Sequence, residues 1–186
     1  MKVSLRDGRM VCFANSHLDP HKSSYRRNCV KGFFETAEQE SDWNSICDAQ
    51  LLFGDLNTRT GDKTDGPSNG KHYPLTTDFG DLRKMDELTG SNPYGSDSSW
   101  KGNLLAYINE VQAKRFTEGE VRFIPTYSIK SSQDFCGGLF PCYRVNRPIS
   151  WTDRIVYTGE VRCEGYGAIL KEYGDHFPDV GSFVVA

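Results

Sequence analysis

Four short polar clusters in this chain each sit at the end of an apolar, strand-like run. They are Asn15-Ser16-His17 in NSHL, Asp55 and Asn57 in GDLN, Asp153 in WTDRIVY, and Asp175-His176 in GDHFP. A strand that ends in Asp, Asn or His delivers that side chain to the rim of a sheet with little positional freedom, and active sites are commonly built this way. Taken singly, each cluster reads as an ordinary turn or a satisfied structural residue. Taken together, two imidazoles, three carboxylates and a carboxamide suit attack on a phosphate. They offer a base for water, donors for the charged oxygens, and carboxylates to hold a metal or orient an imidazole.

The elements that must position these groups follow from apolar patterning. Lys2–Leu5 and Met10–His17 flank a charged Asp7-Gly8 turn and predict a hairpin. Val30, Phe33, Phe34 and Ala37 recur at helical spacing and predict a helix from about Tyr25 to Glu40. Ala49–Phe53 is a short apolar run closed by Gly54, which predicts a buried strand. Thr60–Thr77, rich in Gly, Asp, Lys and Pro, predicts a long loop, and Gln133–Pro148 an irregular one. Helices are expected over Phe79–Leu88 and Leu104–Arg115. Strands are expected over Val121–Ile124 and Val180–Val185, with a pair at Trp151–Thr158 and Val161–Ile169. Strands alternating with helices make the chain α/β.

Composition narrows the function classes. The chain has 186 residues, 37% hydrophobic and 25% charged, enough for one folded domain. Its net charge of −3 argues against general nucleic-acid binding, which relies on a strongly basic face. Six cysteines (Cys12, Cys29, Cys47, Cys136, Cys142, Cys163) are scattered without a CxxC pair, so a zinc site is not indicated and six reduced thiols are expected. No apolar leader follows Met1, and the expected location is the cytoplasm. Trp100 is expected to pack, its alternative being an exposed membrane-touching tip.

The ordered series NSHLDPH, RRN, LLFGDLNTR, FTEGEVRFIPTY, WTDRIVY and GDHFPDV resembles the inositol polyphosphate 5-phosphatases. These belong to the endonuclease/exonuclease/phosphatase superfamily, with the DNase I-like fold. The resemblance runs from about Val11 to the C-terminus, interrupted over Thr60–Lys101. It implies a four-layer αββα sandwich lacking its N-terminal part, so that residues 1–186 form the C-terminal part of a catalytic domain. Asp55 is implied as the general base for water and Asn57 as a donor to the phosphoryl oxygens. His17 is implied as an imidazolium on the scissile phosphate, oriented by Asp153, with His176 as a second imidazole there. Asp175 would serve the metal side, with Mg²⁺ as cofactor. His21, Arg27, Asn28, Tyr127, Lys130 and Arg147 would face the substrate. The implied partner is an inositol polyphosphate or a phosphoinositide headgroup, the latter with peripheral contact at the cytosolic face of a membrane, and no nucleic acid.

The chain also departs from the family pattern. Ser128 and Val145 stand where lysines that recognise a second phosphate are expected, and Gly174 stands where the family has serine. A metal-binding glutamate and an asparagine that the family carries upstream of NSHL have no counterpart here. Two further readings follow: a non-catalytic remnant that binds a partner or headgroup, and a nuclease of the same superfamily.

Overall fold

The computed structural model describes residues 1–61, 71–91, 93, 100–130, 136, 138–144, 146–171 and 174–186. Parts of the two predicted loops, and Val145, lie outside the described residues.

The chain opens with the expected hairpin, β1 (Lys2–Ser4) against β2 (Met10–Asn15). Helix α1 (Ser23–Ser41) and the short α2 (Trp43–Ile46) carry it across to β3 (Ala49–Asp55), parallel to β2. This is a βαβ unit, the connection that parallel strands require. β3 is the middle strand of a five-stranded sheet ordered β1-β2-β3-β7-β5, with β7 (Asp153–Gly159) antiparallel to it and β5 (Thr117–Glu118) at the edge. Its apolar run is buried because both faces are covered, as sheet alternation demands. Leu52 points to one side with Cys12, Ala14 and Val156, against Val30 and Phe34 of α1 and Leu104 and Ile108 of α4 (Leu104–Gln112). Leu51 points to the other side with Val11 and Tyr157.

That second face is covered by β8 (Val161–Ala168) and β9 (Asp179–Val185), a separate antiparallel pair whose Phe183 packs edge-on against Tyr157. The described residues therefore build three layers: helices, a mixed sheet and a second sheet. The expected pairing of the strands around 151–158 and 161–169 is corrected here. β8 leaves its predecessor and joins β9. Gly159 turns the chain with a φ of 94°, and a Cβ there would collide with the carbonyl of Asp48. Only glycine can make that turn so close to the neighbouring backbone.

Three other expectations change. The helix expected over 79–88 is α3 (Gly80–Lys84) followed by turns, because Asp86 and Glu87 leave helical geometry to meet buried arginines. α4 ends at Gln112, with Ala113 in the left-handed region. Residues 121–124 form no strand. The ladder to β7 is made earlier, at Thr117 and Glu118, where Glu118 meets Arg154.

The cysteines are also corrected. Cys12–Cys47 and Cys136–Cys142 are disulfides, and Cys29 and Cys163 are free. Irregular spacing hid both pairs, since Cys12 and Cys47 are 35 residues apart and meet only because β2 and β3 lie side by side. Trp100 packs edge-on against Tyr107. No helix among the described residues is long and apolar enough to cross a membrane.

Candidate active site

The C-terminal end of β3 and the N-terminal end of β7 meet in register, so that Asp55 is the direct partner of Asp153. The end of β2 is drawn alongside by Ser16 N–H donating to Phe53 O and Leu18 N–H donating to Asp55 O, both at 2.9 Å. Gly54 makes this approach feasible: its φ is 118°, and a Cβ would strike Ser16 O and Asn15 Oδ1. The glycine of GDLN thus brings two strand ends, and His17 with Asp55, together.

Asp55 is the centre of the cluster. Its Oδ1 accepts from the Asn57 N–H at 2.9 Å, and its Oδ2 lies 3.5 Å from His17 Nε2 and 4.0 Å from His176 Nε2. Burial and then the nearby Asp153 charge push the Asp55 carboxyl above its ordinary pKa, outweighing the Asn57 bond and the two imidazoles. A raised carboxyl is a better proton acceptor near neutrality. Asn57 is buried in a left-handed conformation that asparagine tolerates, donates from Nδ2 to Leu18 O at 2.9 Å, and accepts from Arg59 Nη2 at 2.5 Å.

His176 arrives from the connection between β8 and β9. Its Nδ1–H donates to Asp153 Oδ2 at 2.9 Å, and Thr152 Oγ1 donates to the same oxygen at 2.9 Å. Here the expected pairing is corrected: Asp153 orients His176, not His17, because the strand register places Asp153 under the β8–β9 connection while β2 delivers His17 to Asp55. Burial disfavours the imidazolium of His176, but the Asp153 hydrogen bond and the surrounding carboxylates outweigh it and hold its pKa above the ordinary histidine value. His17, by contrast, has 76% of its side chain exposed.

Tyr127 links this cluster to a flanking hollow. Its ring lies 4.9 Å from that of His176, the Arg59 guanidinium sits over it at 4.5 Å, and its hydroxyl accepts from Arg147 Nη1 at 2.8 Å. His21, Arg59, Tyr127 and Arg147 line a hollow of about 350 Å³ with Pro20, Gly61 and Pro148. Asp175 faces the arginines, with Oδ2 at 3.2 Å from Arg147 and 3.6 Å from Arg144, while its Oδ1 is 3.8 Å from His176 Nε2. Lys130 is half-buried, its backbone N–H bonded to Cys142 O at 2.7 Å. Arg27 and Asn28 belong to the helix layer. Arg27 is buried and donates to Ser23 Oγ one turn earlier on α1, and Asn28 is exposed there.

Sequence reasoning missed Arg59 and Thr152 as members of the site, although both stand inside the motifs that carry it, LNTR and WTDR. It also missed Asp179, whose buried carboxyl has an oxygen without a hydrogen-bond partner. With Phe183 over Tyr157 and Gly181 beside Ile155, the two-residue period of β9 carries Asp179 toward Asp153. Burial, then the Asp153 charge, lifts its pKa to about 6.

For a Mg²⁺ ion the fit is poor. Among the described residues no three His, Cys, Asp or Glu side chains converge as a metal set, and Asp175 is shared between two arginines. The described residues do not make a Mg²⁺ site by themselves, and no chemical step is assigned to the ion.

The profile of endonuclease/exonuclease/phosphatase family 2 matches residues 1–181. The chain belongs to this family. Among solved structures it is similar to the inositol polyphosphate 5-phosphatase domain of SPsynaptojanin in complex with inositol (1,4)-bisphosphate and calcium ion, at 20% identity and a TM-score of 0.60. That match covers 99% of this chain and 50% of the other. It is also similar to a mutant of Cimex nitrophorin in its ferrous NO complex, at 18% identity and a TM-score of 0.53, covering 98% of this chain and 62% of that one. No curated protein matches the sequence. This member of the family has the mixed α/β, DNase I-like fold, and it spans about half to three-fifths of the length of these structures. A phosphatase domain and a nitrophorin on one fold show that the architecture alone does not select an activity.

Proposed function

We propose that this protein hydrolyses a phosphate monoester, taking an inositol polyphosphate or phosphoinositide headgroup and releasing its 5-phosphate. In this reading residues 1–186 are the C-terminal part of the catalytic domain. The observation that carries it is one carboxylate, Asp55, held within 3.5 and 4.0 Å of two imidazoles, one from the end of β2 and one from the β8–β9 connection, with a second carboxylate bonded to one of them.

Each group then has a physical task. Asp55 takes the proton of the attacking water, which its raised pKa favours. His176, whose imidazolium the Asp153 bond favours, donates to a phosphoryl oxygen as charge builds, and exposed His17 closes on another. Asn57 fixes Asp55 through its backbone N–H and joins the end of β3 to the strand carrying His17. Arg59, Arg147 and Arg144 supply planar forks that suit phosphate oxygens bidentately, with His21, Tyr127 and Lys130 beside them. Arg27 and Asn28 act on the substrate only through the first turns of α1. The Mg²⁺ dependence typical of the resemblance would need ligands beyond the described residues, Asp175 being the carboxylate that the resemblance assigns to the metal side.

That shortfall favours a second reading, in which the cleft binds a phosphate-rich headgroup without turnover. Phosphate release from inositol 1,4,5-trisphosphate by the purified chain separates the two. Turnover that falls by about 10²-fold or more in Asp55→Ala supports hydrolysis. Equal, near-zero rates in both proteins would leave only binding.

A further inference from the structure

The two disulfides were not legible in the sequence, and each has a distinct place in the fold. Cys12 of β2 and Cys47, just before β3, close the helix-facing core, where both are buried. Their Cα atoms are 5.8 Å apart, and those of Cys136 and Cys142 are 6.1 Å apart, within the span a disulfide bridges. Two such bonds in one small domain belong to proteins of oxidising compartments, because cytosolic thiol systems keep cysteines reduced.

The second bond lies beside the cleft. Cys142 begins β6 (Cys142–Tyr143), whose ladder among the described residues is with the two-residue β4 (Lys71–His72). A ladder that short is by itself a weak anchor, and on its other side β6 is held by an antiparallel bridge from Tyr143 to Ile129. Around it, Lys130 N–H donates to Cys142 O at 2.7 Å, Arg144 N–H donates to Ser128 O at 3.0 Å, and the buried Tyr143 hydroxyl donates to Pro125 O at 2.8 Å. Arg144 follows Cys142 by two residues and Arg147 by five, and both guanidinium groups reach the Asp175 carboxylate beside His176. The covalent link thus stands at the root of the segment that aims these arginines.

We infer that the working form of this protein is the oxidised one, in which Cys136–Cys142 is a clasp positioning Arg144 and Arg147 on a substrate phosphate, and that the protein functions in an oxidising compartment. The clasp rests on the reading of the cleft as a phosphate site; the oxidised state does not. Each bond forms as two thiols pass two electrons and two protons to an oxidised dithiol carrier of that compartment, whose disulfide is reduced in exchange. Without the clasp, ordering two long side chains at the ligand must be met from the binding free energy.

Two measurements test this. Protein secreted from cultured cells is unfolded in guanidinium with N-ethylmaleimide and no reductant, and weighed by mass spectrometry. Two alkylated cysteines, Cys29 and Cys163, support the oxidised state, and six overturn it. Binding of inositol 1,4,5-trisphosphate is then compared by calorimetry for the oxidised protein, Cys136→Ser/Cys142→Ser and Cys12→Ser/Cys47→Ser, each checked for folding by circular dichroism. The clasp predicts affinity weakened about tenfold in Cys136→Ser/Cys142→Ser, of the order expected for two less ordered arginines. It predicts unchanged affinity in folded Cys12→Ser/Cys47→Ser, which loses thermal stability instead. Equal affinity in all three proteins overturns the clasp alone. No binding by the oxidised wild type overturns the cleft reading and the clasp with it, while the alkylation count still decides the oxidised state.

Discussion

Two groups of charged residues lie on either side of β7, and they are built on opposite terms. In the interior, Arg154 is clamped by Glu118 at 2.5 and 2.6 Å and by Asp86 at 2.9 and 3.0 Å, and Arg26 by Glu87 at 2.6 and 2.9 Å. All five side chains are almost fully buried, and the charges meet in bidentate pairs. At the cleft, Asp55, Asp153 and Asp175 face two imidazoles and the tips of two arginines, partly exposed and, apart from the 2.9 Å bond of Asp153 to His176, with longer contacts. Adjacent residues, Asp153 and Arg154, serve the two groups from opposite faces of one strand. The lesson is that a saturated, dry ion network is architecture, whereas an unsaturated, wet one leaves capacity for a ligand.

The sharpest way to break this contrast is to remove one partner from each side and measure stability. Glu118→Ala leaves Arg154 buried beside a void and is expected to cost about 3–5 kcal/mol in denaturant unfolding. A loss below about 1 kcal/mol would mean that the interior network is not architecture. Asp179→Val comes next, with the opposite sign. The folded pKa of Asp179 is raised to about 6 from 3.8, so the fold holds its proton more tightly than the unfolded chain does. Its stability contribution is therefore best below pH ~4, declines as pH rises toward ~6, and stays low above that. At about 1.4 kcal/mol per pKa unit, the variant gains roughly 3 kcal/mol at pH ~7.5 and loses that electrostatic gain below pH ~4, read from melting at both pH values.

Smaller effects sharpen the cleft side. Asp55→Asn removes a carboxylate that the fold already disfavours in its charged form, so stability near neutrality is expected to change by less than about 1 kcal/mol, slightly upward. A large loss would move Asp55 into the architecture. Asp153→Asn is expected to lower the pKa of His176, since the Asp153 bond and charge are what raise it. The stability that the raised value contributes is present below the ordinary histidine pKa and vanishes as pH rises through the folded one. Imidazole NMR titration reads this directly, and an unmoved midpoint would remove Asp153 as the residue that charges His176.

Much of the site was legible before any coordinates. His17, Asp55, Asn57 and Asp153 lie at the ends of apolar strands, and the structure gathers them because β2, β3 and β7 are neighbours in register, while the β8–β9 connection brings His176 onto Asp153. Partnership inside the cluster was not legible: Asp153 was expected under His17 and lies under His176. The difference is one of register across strands distant in sequence, on which local spacing is silent. Arg59 was overlooked because its role arises from stacking on Tyr127, a contact between loops. Asp179 was overlooked because its environment is set by the second sheet lying over the first.

Sequence by itself determined the alternation of strands and helices, the polar residues that end the strands, and the glycines at 54 and 159 that permit close turns. These follow from local pattern, since apolar periodicity and backbone freedom act within a few residues. Tertiary structure alone decided which carboxylate serves which imidazole, which arginines are buried and saturated, that β8 pairs with β9, and that four of the six cysteines are bonded. Such matters depend on distance in space between residues far apart along the chain, and burial then sets the strength of every charge involved.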